Sequence, residues 1–139
     1  MNLEYNDLPP DALAATAERE RVAALPVLGR HAVATLGSRT KLGGTVRTAT
    51  SATCFKELRA ARVGDEVHYP DGTVAYITSG AGFAAIDDGK PLAIVGSHVS
   101  NGDVIAESLQ SSMEILILDG LPPIPGFLAP DYVPHQRQH

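Results

Sequence analysis

Between positions 31 and 118, apolar and polar residues alternate in short runs, and each run is cut off by a turn signal. Alternation with a period of two predicts strands. The runs at 32–36, 45–49, 59–63, 73–78, 82–86, 91–95, 103–107 and 113–118 are the candidates. Most are close to the usual strand length of about five residues. Gly43-Gly44, Asp71-Gly72, Asp88-Gly89 and Asn101-Gly102 punctuate them, and such pairs favour tight reversals. Asp88-Gly89 lies between two apolar runs and predicts a hairpin, with Pro91 at the position a strand's first residue allows.

The two ends read differently. Asp7-Leu8-Pro9-Pro10-Asp11 opens a helical pattern that runs to about Leu25, with prolines and acids suited to a first turn. Its apolar stripe (Leu13, Ala17 and Ala24, with Val22 or Leu25) is alanine-rich and weak, as in a marginal surface helix. Pro26 and Gly29 break the pattern. From Leu121 to Pro130, prolines alternate with Leu, Ile and Phe, which predicts an extended strap in a groove of this domain or of a partner. Gln136 to His139 are expected to be disordered. The resulting partition is a partly helical extension at 1–30, a β domain at 31–118 and a proline-rich extension at 119–139.

Composition supports this picture. The chain has 139 residues, 13 of them Gly and 10 Pro, and no Trp, which suits short strands and tight turns rather than a helical bundle. A net charge of −5 argues against a nucleic-acid partner, which requires a concentrated basic face. Cys54 is the one cysteine, so an intramolecular disulfide and a cysteine-based zinc cluster are both excluded. The opening residues have neither a basic nor an apolar signal region, and no run of about 18 apolar residues occurs. A cytoplasmic protein is expected by default; one exported without a cleaved signal would look the same.

A repeated phrase organises the middle of the chain. Leu36-Gly37-Ser38-Arg39-Thr40 returns as Arg62-Val63-Gly64-Asp65-Glu66-Val67 and again as Ile94-Val95-Gly96-Ser97-His98-Val99. The spacing is about thirty residues, within the range of repeated supersecondary units. Each copy ends in a turn, and similar strands, 59–63 and 91–95, precede the second and third copies. Units that cannot bury an apolar face alone must pack around a common axis. The turns near 38–43, 65–72 and 97–102 are therefore expected at one pole of a tapered body, and the connections at 54–58 and 87–90 at the other.

Arg59-Ala60-Ala61-Arg62 resembles the Pro-Ala-Ala-Arg signature of the PAAR spike-tip proteins, with Arg in place of Pro. Pro91-Leu92-Ala93-Ile94 is a degenerate copy that keeps the Pro. Leu36-Gly37-Ser38, Gly43-Gly44-Thr45-Val46, Val63-Gly64-Asp65 and Asp88-Gly89-Lys90-Pro91 follow the family's order, so the resemblance covers about 31–112. It implies a mainly β, conical repeat of short strands with pseudo-threefold character, plus the short N-terminal helix. It further implies a non-enzymatic tip that caps a trimeric valine-glycine repeat spike protein of a type VI secretion or related contractile injection machine. Such a tip would be monomeric alone, held in the cytoplasm before assembly, then exported by the machine and brought briefly against a target membrane. Lys56, Glu57, Leu58, Asp87, Asp88, Gly89 and Lys90 would form the partner-binding base. The extensions are too short for a toxin domain, so any effector would be a separate chain.

Relatives often hold zinc near the vertex, yet this chain has Leu42, Tyr69 and Asn101 where that resemblance would place a His and two Cys. His68 and His98 lie nearby, and Asp71 or Asp103 offer oxygens, but carboxylates at turns are mainly turn formers. No cofactor is expected, with zinc as the minority alternative. Ser38, Asp65, His68, Tyr69, Pro70, Ser97, His98 and Asn101 are the predicted apex residues, with Asp65 and Asn101 hydrogen-bonded across the turns. Catalytic patterns are faint. Cys54, Ser97-His98 with Asp103, and Asp87-Asp88 supply residue types without a nucleophile elbow, and Gly80-Ala81-Gly82 lacks the Lys and helix of a phosphate loop. The alternative from another class is a small β enzyme or ligand-binding barrel using His68, His98 and an acid, recognisable by a concave site with convergent polar groups.

Overall fold

Three hairpins build the body, and each begins with the same four-residue turn. In the computed structural model, which describes residues 10–130 and 132, Ser38, Asp65 and Ser97 fold back on the residue three before them. Ser38 Oγ accepts from Thr35 N at 2.9 Å, Asp65 Oδ2 from Arg62 N at 2.8 Å, and Ser97 Oγ from Ile94 N at 2.9 Å. The third residue of each turn is Gly37, Gly64 or Gly96, with φ of 92°, 98° and 104°. A left-handed backbone there is the reason each copy of the phrase carries glycine.

The hairpins then rise. The first pairs β2 (Arg39–Thr40) with β3 (Thr45–Val46), and the second pairs β6 (Glu66–His68) with β7 (Val74–Tyr76). The third runs from Ser97 and returns through β10 (Ile105–Glu107), with His98 bridged to Val104. β10, β2, β3, β6 and β7 lie side by side in that order. The bridge between Ile77 and Val99 joins β7 to the third hairpin and closes the sheet on itself. Closure removes the unpaired edges an open sheet would present.

Inside that ring the backbone makes a second, smaller one. Ala34 N donates to Ala93 O at 2.8 Å, Ala93 N to Ala61 O at 2.9 Å, and Ala61 N to Ala34 O at 2.9 Å. All three alanines are fully buried. A cyclic triangle of peptide groups marks the pseudo-threefold axis and leaves room for a methyl group at each corner and little more. Two apolar clusters flank it. One joins the alanines to Val46, Val67, Ala75, Ile77, Val99 and Ile105 within the hairpins. The other collects Val33, Ala60, Leu92, Ile94 and Ile115 towards the remaining elements.

Those elements repeat three times as well. β4 (Cys54–Phe55) and β5 (Leu58–Arg59) form a hairpin that leads into Ala61. β8 (Ile86–Asp87) and β9 (Lys90–Pro91) form one that leads into Ala93. The third position is taken by β1 (Val27–Ala32), which leads into Ala34 and pairs with β11 (Glu114–Leu118) from the other end of the chain. The N-terminal helix, α1 (Pro10–Ala23), is mostly exposed over 14–23 and stops short of Pro26.

The fold is mainly β with one short helix, as expected, but several segments differ. The strands are shorter than the alternation suggested, because after Arg59 and Pro91 the chain leaves its hairpin partner and pairs through single bridges, Ala60 with Thr35 and Leu92 with Arg62. The 82–86 run is a 3-10 turn over Gly82–Ala84, not a strand, since Gly82 takes φ of 62°. Val27 to Arg30, assigned to the N-terminal extension, belong to β1 and so to the β domain. The proline-rich tail does lie on its own domain, but as successive turns rather than an extended strap. Phe127 N bonds Ile124 O, Leu128 N bonds Gly80 O, and Phe83 N bonds Pro125 O. The expected disorder at Gln136 to His139, and the helix opening at Asp7, lie outside the described residues.

Candidate functional site

The three hairpin tips meet. Gly43, Gly72 and Gly102 turn them at φ of 91°, 90° and 91°. Asp71 steadies the second tip by accepting from Thr73 N and Oγ1, and Asn101 steadies the third by accepting from Asp103 N at 3.0 Å. Between tips, Tyr69 Oη donates to Asp103 Oδ2 at 2.6 Å, and Leu42 N donates to Asp103 Oδ1 at 3.1 Å. Val104 N donates to the same Oδ1 at 2.7 Å. The Tyr69 ring lies over Gly44, where a Cβ would come within 2.7 Å of Tyr69 Cε2, so a side chain at that position would push the ring away.

This geometry moves two ionisations. Burial raises the Tyr69 phenol, and the bond to Asp103 raises it further. Burial also opposes charge on Asp103, but bonds from Thr40, Tyr69, Val104 N and Leu42 N outweigh it and hold the carboxyl below its ordinary value.

The predicted apex residues divide. Tyr69, Pro70 and Asn101 occupy the tips. Ser38, Asp65 and Ser97 sit lower, at the hairpin roots, and are buried. Asp65 is bonded across its turn and also accepts from Thr48 Oγ1 at 3.0 Å and Thr50 N at 3.1 Å. His68 and His98 face outward, because strand alternation turns their neighbours Val67 and Val99 into the core. His68 Nε2 pairs with Glu66 Oε1 at 2.8 Å, and His98 Nδ1 pairs with Ser79 Oγ at 2.8 Å.

A zinc at this vertex would need about four N, S or O ligands converging on one point. The tips supply Leu42, a protonated phenol and an amide, and the two carboxylates there already accept from donors, Asp71 from Thr73 and Asp103 from Leu42 N, Tyr69 and Val104 N. The residues therefore do not fit the metal. Among the described residues, no three His, Cys, Asp or Glu side chains gather as a metal would require.

At the base, Lys56, Glu57 and Asp88 are exposed on the hairpin turns, where Lys56 and Asp88 adopt φ of 59° and 49°. Leu58 and Gly89 are half-buried, and Lys90 is exposed beside Gly64. Asp87 is bound into its own scaffold. It accepts from Thr53 Oγ1 at 2.9 Å and from Ala52 N, and it lies 3.7 Å from Arg62, whose guanidinium also bonds Asp87 O and Thr50 Oγ1.

An apolar groove of about 500 Å³ runs along β1 and β11, lined by Leu28, Leu116, Leu118, Leu121 and Ile124 among others. It contains neither His68 nor His98. The Ser79 hydroxyl that meets His98 is buried, so that pair offers no accessible nucleophile.

Two features escaped the sequence reading. One is the third copy of the strand before the phrase, Val33-Ala34-Thr35, legible afterwards as an alanine three residues before Gly37 just as Ala61 and Ala93 precede Gly64 and Gly96. The other is the centrality of Asp103, whose only local signal is a turn.

Three glycine-turned hairpins thus close about an alanine triangle. Residues 36–107 match the PAAR motif, and the chain belongs to the PAAR family, a family of structural tips associated with spike complexes. No curated protein and no solved structure matches the chain.

Proposed function

We propose that this chain is a non-enzymatic tip that caps and sharpens a trimeric valine-glycine repeat spike protein in a type VI secretion or related contractile injection machine. The observation that carries this reading is the triangle Ala34–Ala61–Ala93 inside a sheet closed on itself. Such a body is bonded around its axis in every direction, so axial force is shared among three hairpins rather than borne by one edge. The two base hairpins and the β1–β11 ribbon stand around the same axis, and a threefold spike end would meet three comparable structures. The working cycle is mechanical: the tip seats on the spike in the cytoplasm, travels with it, and meets the target envelope first.

Co-purification with a trimeric spike protein tests the proposal. One tip per trimer is expected, with the tip monomeric alone by light scattering, and Lys56→Glu with Lys90→Glu should weaken the complex. A stable homotrimer, or binding unchanged by both reversals, would overturn it. Hydrolase turnover abolished by His98→Ala would instead favour the enzyme reading.

A further inference from the structure

We infer that the Asp103 carboxylate is the structural anion that joins the three hairpins at the apex, so that this tip folds and holds its point without a metal. The inference concerns the isolated chain and does not rest on its partner.

Each hairpin sends a donor to this one side chain. The first sends Leu42 N to Oδ1, the second sends Tyr69 Oη to Oδ2, and the third sends Val104 N to Oδ1. The Thr40 hydroxyl of the first hairpin is a further donor. The carboxylate is almost fully buried at 2 % exposure, a site a charge occupies only when its oxygens are filled. A metal ion would join three turns by drawing anionic and neutral donor ligands onto a cation. Here the polarity is reversed: the charge is negative, it belongs to the chain, and the groups around it are N–H and O–H donors. Charge-assisted bonds of this kind are shorter and stronger than neutral ones, and the 2.6 Å separation from Tyr69 fits that class.

The arrangement also accounts for the residues that replace ligands. Leu42 contributes its backbone alone, which is why its side chain can be 67 % exposed without consequence. Tyr69 stands on the longest of the three hairpins, which places its hydroxyl across from the third tip. Asn101 accepts from Asp103 N and so fixes the backbone that carries the carboxylate. A cation would have to displace these donors, because the electron pairs they face are the ones it would need.

The test uses full-length protein purified without chelator. Elemental analysis should find metal well below one per chain, and the melting temperature should be the same with EDTA or added zinc. Asp103→Ala should lower it by about 5 °C or more and Tyr69→Phe by a smaller amount. Since Asp103→Ala can also fail to fold, Tyr69→Phe provides a second arm. It should remove the raised phenol ionisation from an absorbance titration and speed hydrogen exchange at the Leu42 amide. Near-stoichiometric zinc whose removal lowers the melting temperature would overturn the inference. So would an unchanged melting temperature in Asp103→Ala, or an unchanged phenol titration and Leu42 exchange in Tyr69→Phe.

Discussion

The apex and the base are built about one axis by different physics. At the apex, three local hairpins of consecutive residues meet, and polar groups finish the contact: a carboxylate, a phenol and backbone amides. At the base, two hairpins and one ribbon meet, and apolar burial finishes the contact through Val33, Ala60, Leu92 and Ile115. The ribbon is assembled from the two ends of the domain, since β1 and β11 are separated by the whole repeat. The apex is narrow and has little apolar area to bury, so directional bonds must hold it. The wider base can use a core, but its third side depends on the most distant strand pairing among the described residues. The alanine triangle between them is what both ends share.

The largest effect is expected where the two regions join. Ala61 is fully buried, and its N–H and C=O both belong to the triangle. Ala61→Leu forces extra methylenes onto the axis and should cost about 3 kcal/mol, at the upper end of ordinary overpacking. The exposed Ala106→Leu should cost no more than about 0.5 kcal/mol. Urea denaturation of both variants checks this. Equal costs would mean that apex and base are not joined through the triangle.

The hairpin roots come next, because they test how closely the three units match. Ser38 and Ser97 each close their own turn. Asp65 does so and also binds Thr48 and Thr50, tying the second hairpin to the segment that leads down to β4. Losing a buried charged acceptor strands several donors, so Asp65→Ala should cost about 2–3 kcal/mol, against about 1 kcal/mol for Ser38→Ala or Ser97→Ala. Equal losses in chemical denaturation would show that the second unit carries no extra connection.

These expectations indicate which parts of the molecule a sequence can express. The repeated Gly-Ser and Gly-Asp phrase was legible because a left-handed turn requires glycine and a short oxygen-bearing side chain follows it. The convergence of the tips followed from their common spacing. The pairing of β1 with β11 was not legible, because Gly29 and Pro26 resemble breakers locally and the partner strand lies far along the chain. Gly82 suggested a strand residue, although its position is set by contact with Pro125 and Phe127. The role of Asp103 was hidden for a related reason. An aspartate after Asn-Gly is ordinary in a turn, and only the assembled cone shows three hairpins donating to it.

A smaller, local effect is expected at the base. Gly82 has φ of 62°, and a Cβ there would fall 2.4 Å from Pro125 O. Gly82→Ala combines backbone strain with a backbone clash, so the tail should lift before the core yields, at a cost of about 1–2 kcal/mol. Limited proteolysis should then cut after Leu121 far faster than in the parent protein, while the alanine triangle keeps its hydrogen-exchange protection. Loss of protection throughout the molecule would mean that the tail is part of the core.

The smallest effect, and the one most specific to the apex, is on pH dependence. Asp103 ionises more readily in the folded protein than in the unfolded chain, so its contribution is present above the ordinary carboxylate range and is lost as pH falls through the depressed folded value. Tyr69 ionises less readily when folded, so its contribution is present below the usual phenol value of about 10 and is lost as pH rises through the raised one. The two limbs bracket a plateau in which the phenol is protonated and the carboxylate is not, the state the 2.6 Å bond requires. Tyr69→Phe should lower the plateau slightly and remove the alkaline limb attributable to this pair. The acid limb should shrink without vanishing, because Leu42 N and Val104 N still favour the Asp103 anion. Asp103→Asn should remove the acid limb contributed by this residue and, with it, the part of the alkaline limb that comes from the charge beside the phenol. Melting temperatures across pH for the parent and both variants separate these outcomes. An alkaline limb that persists unchanged in Tyr69→Phe would place its origin elsewhere and leave the apex held by backbone bonds alone.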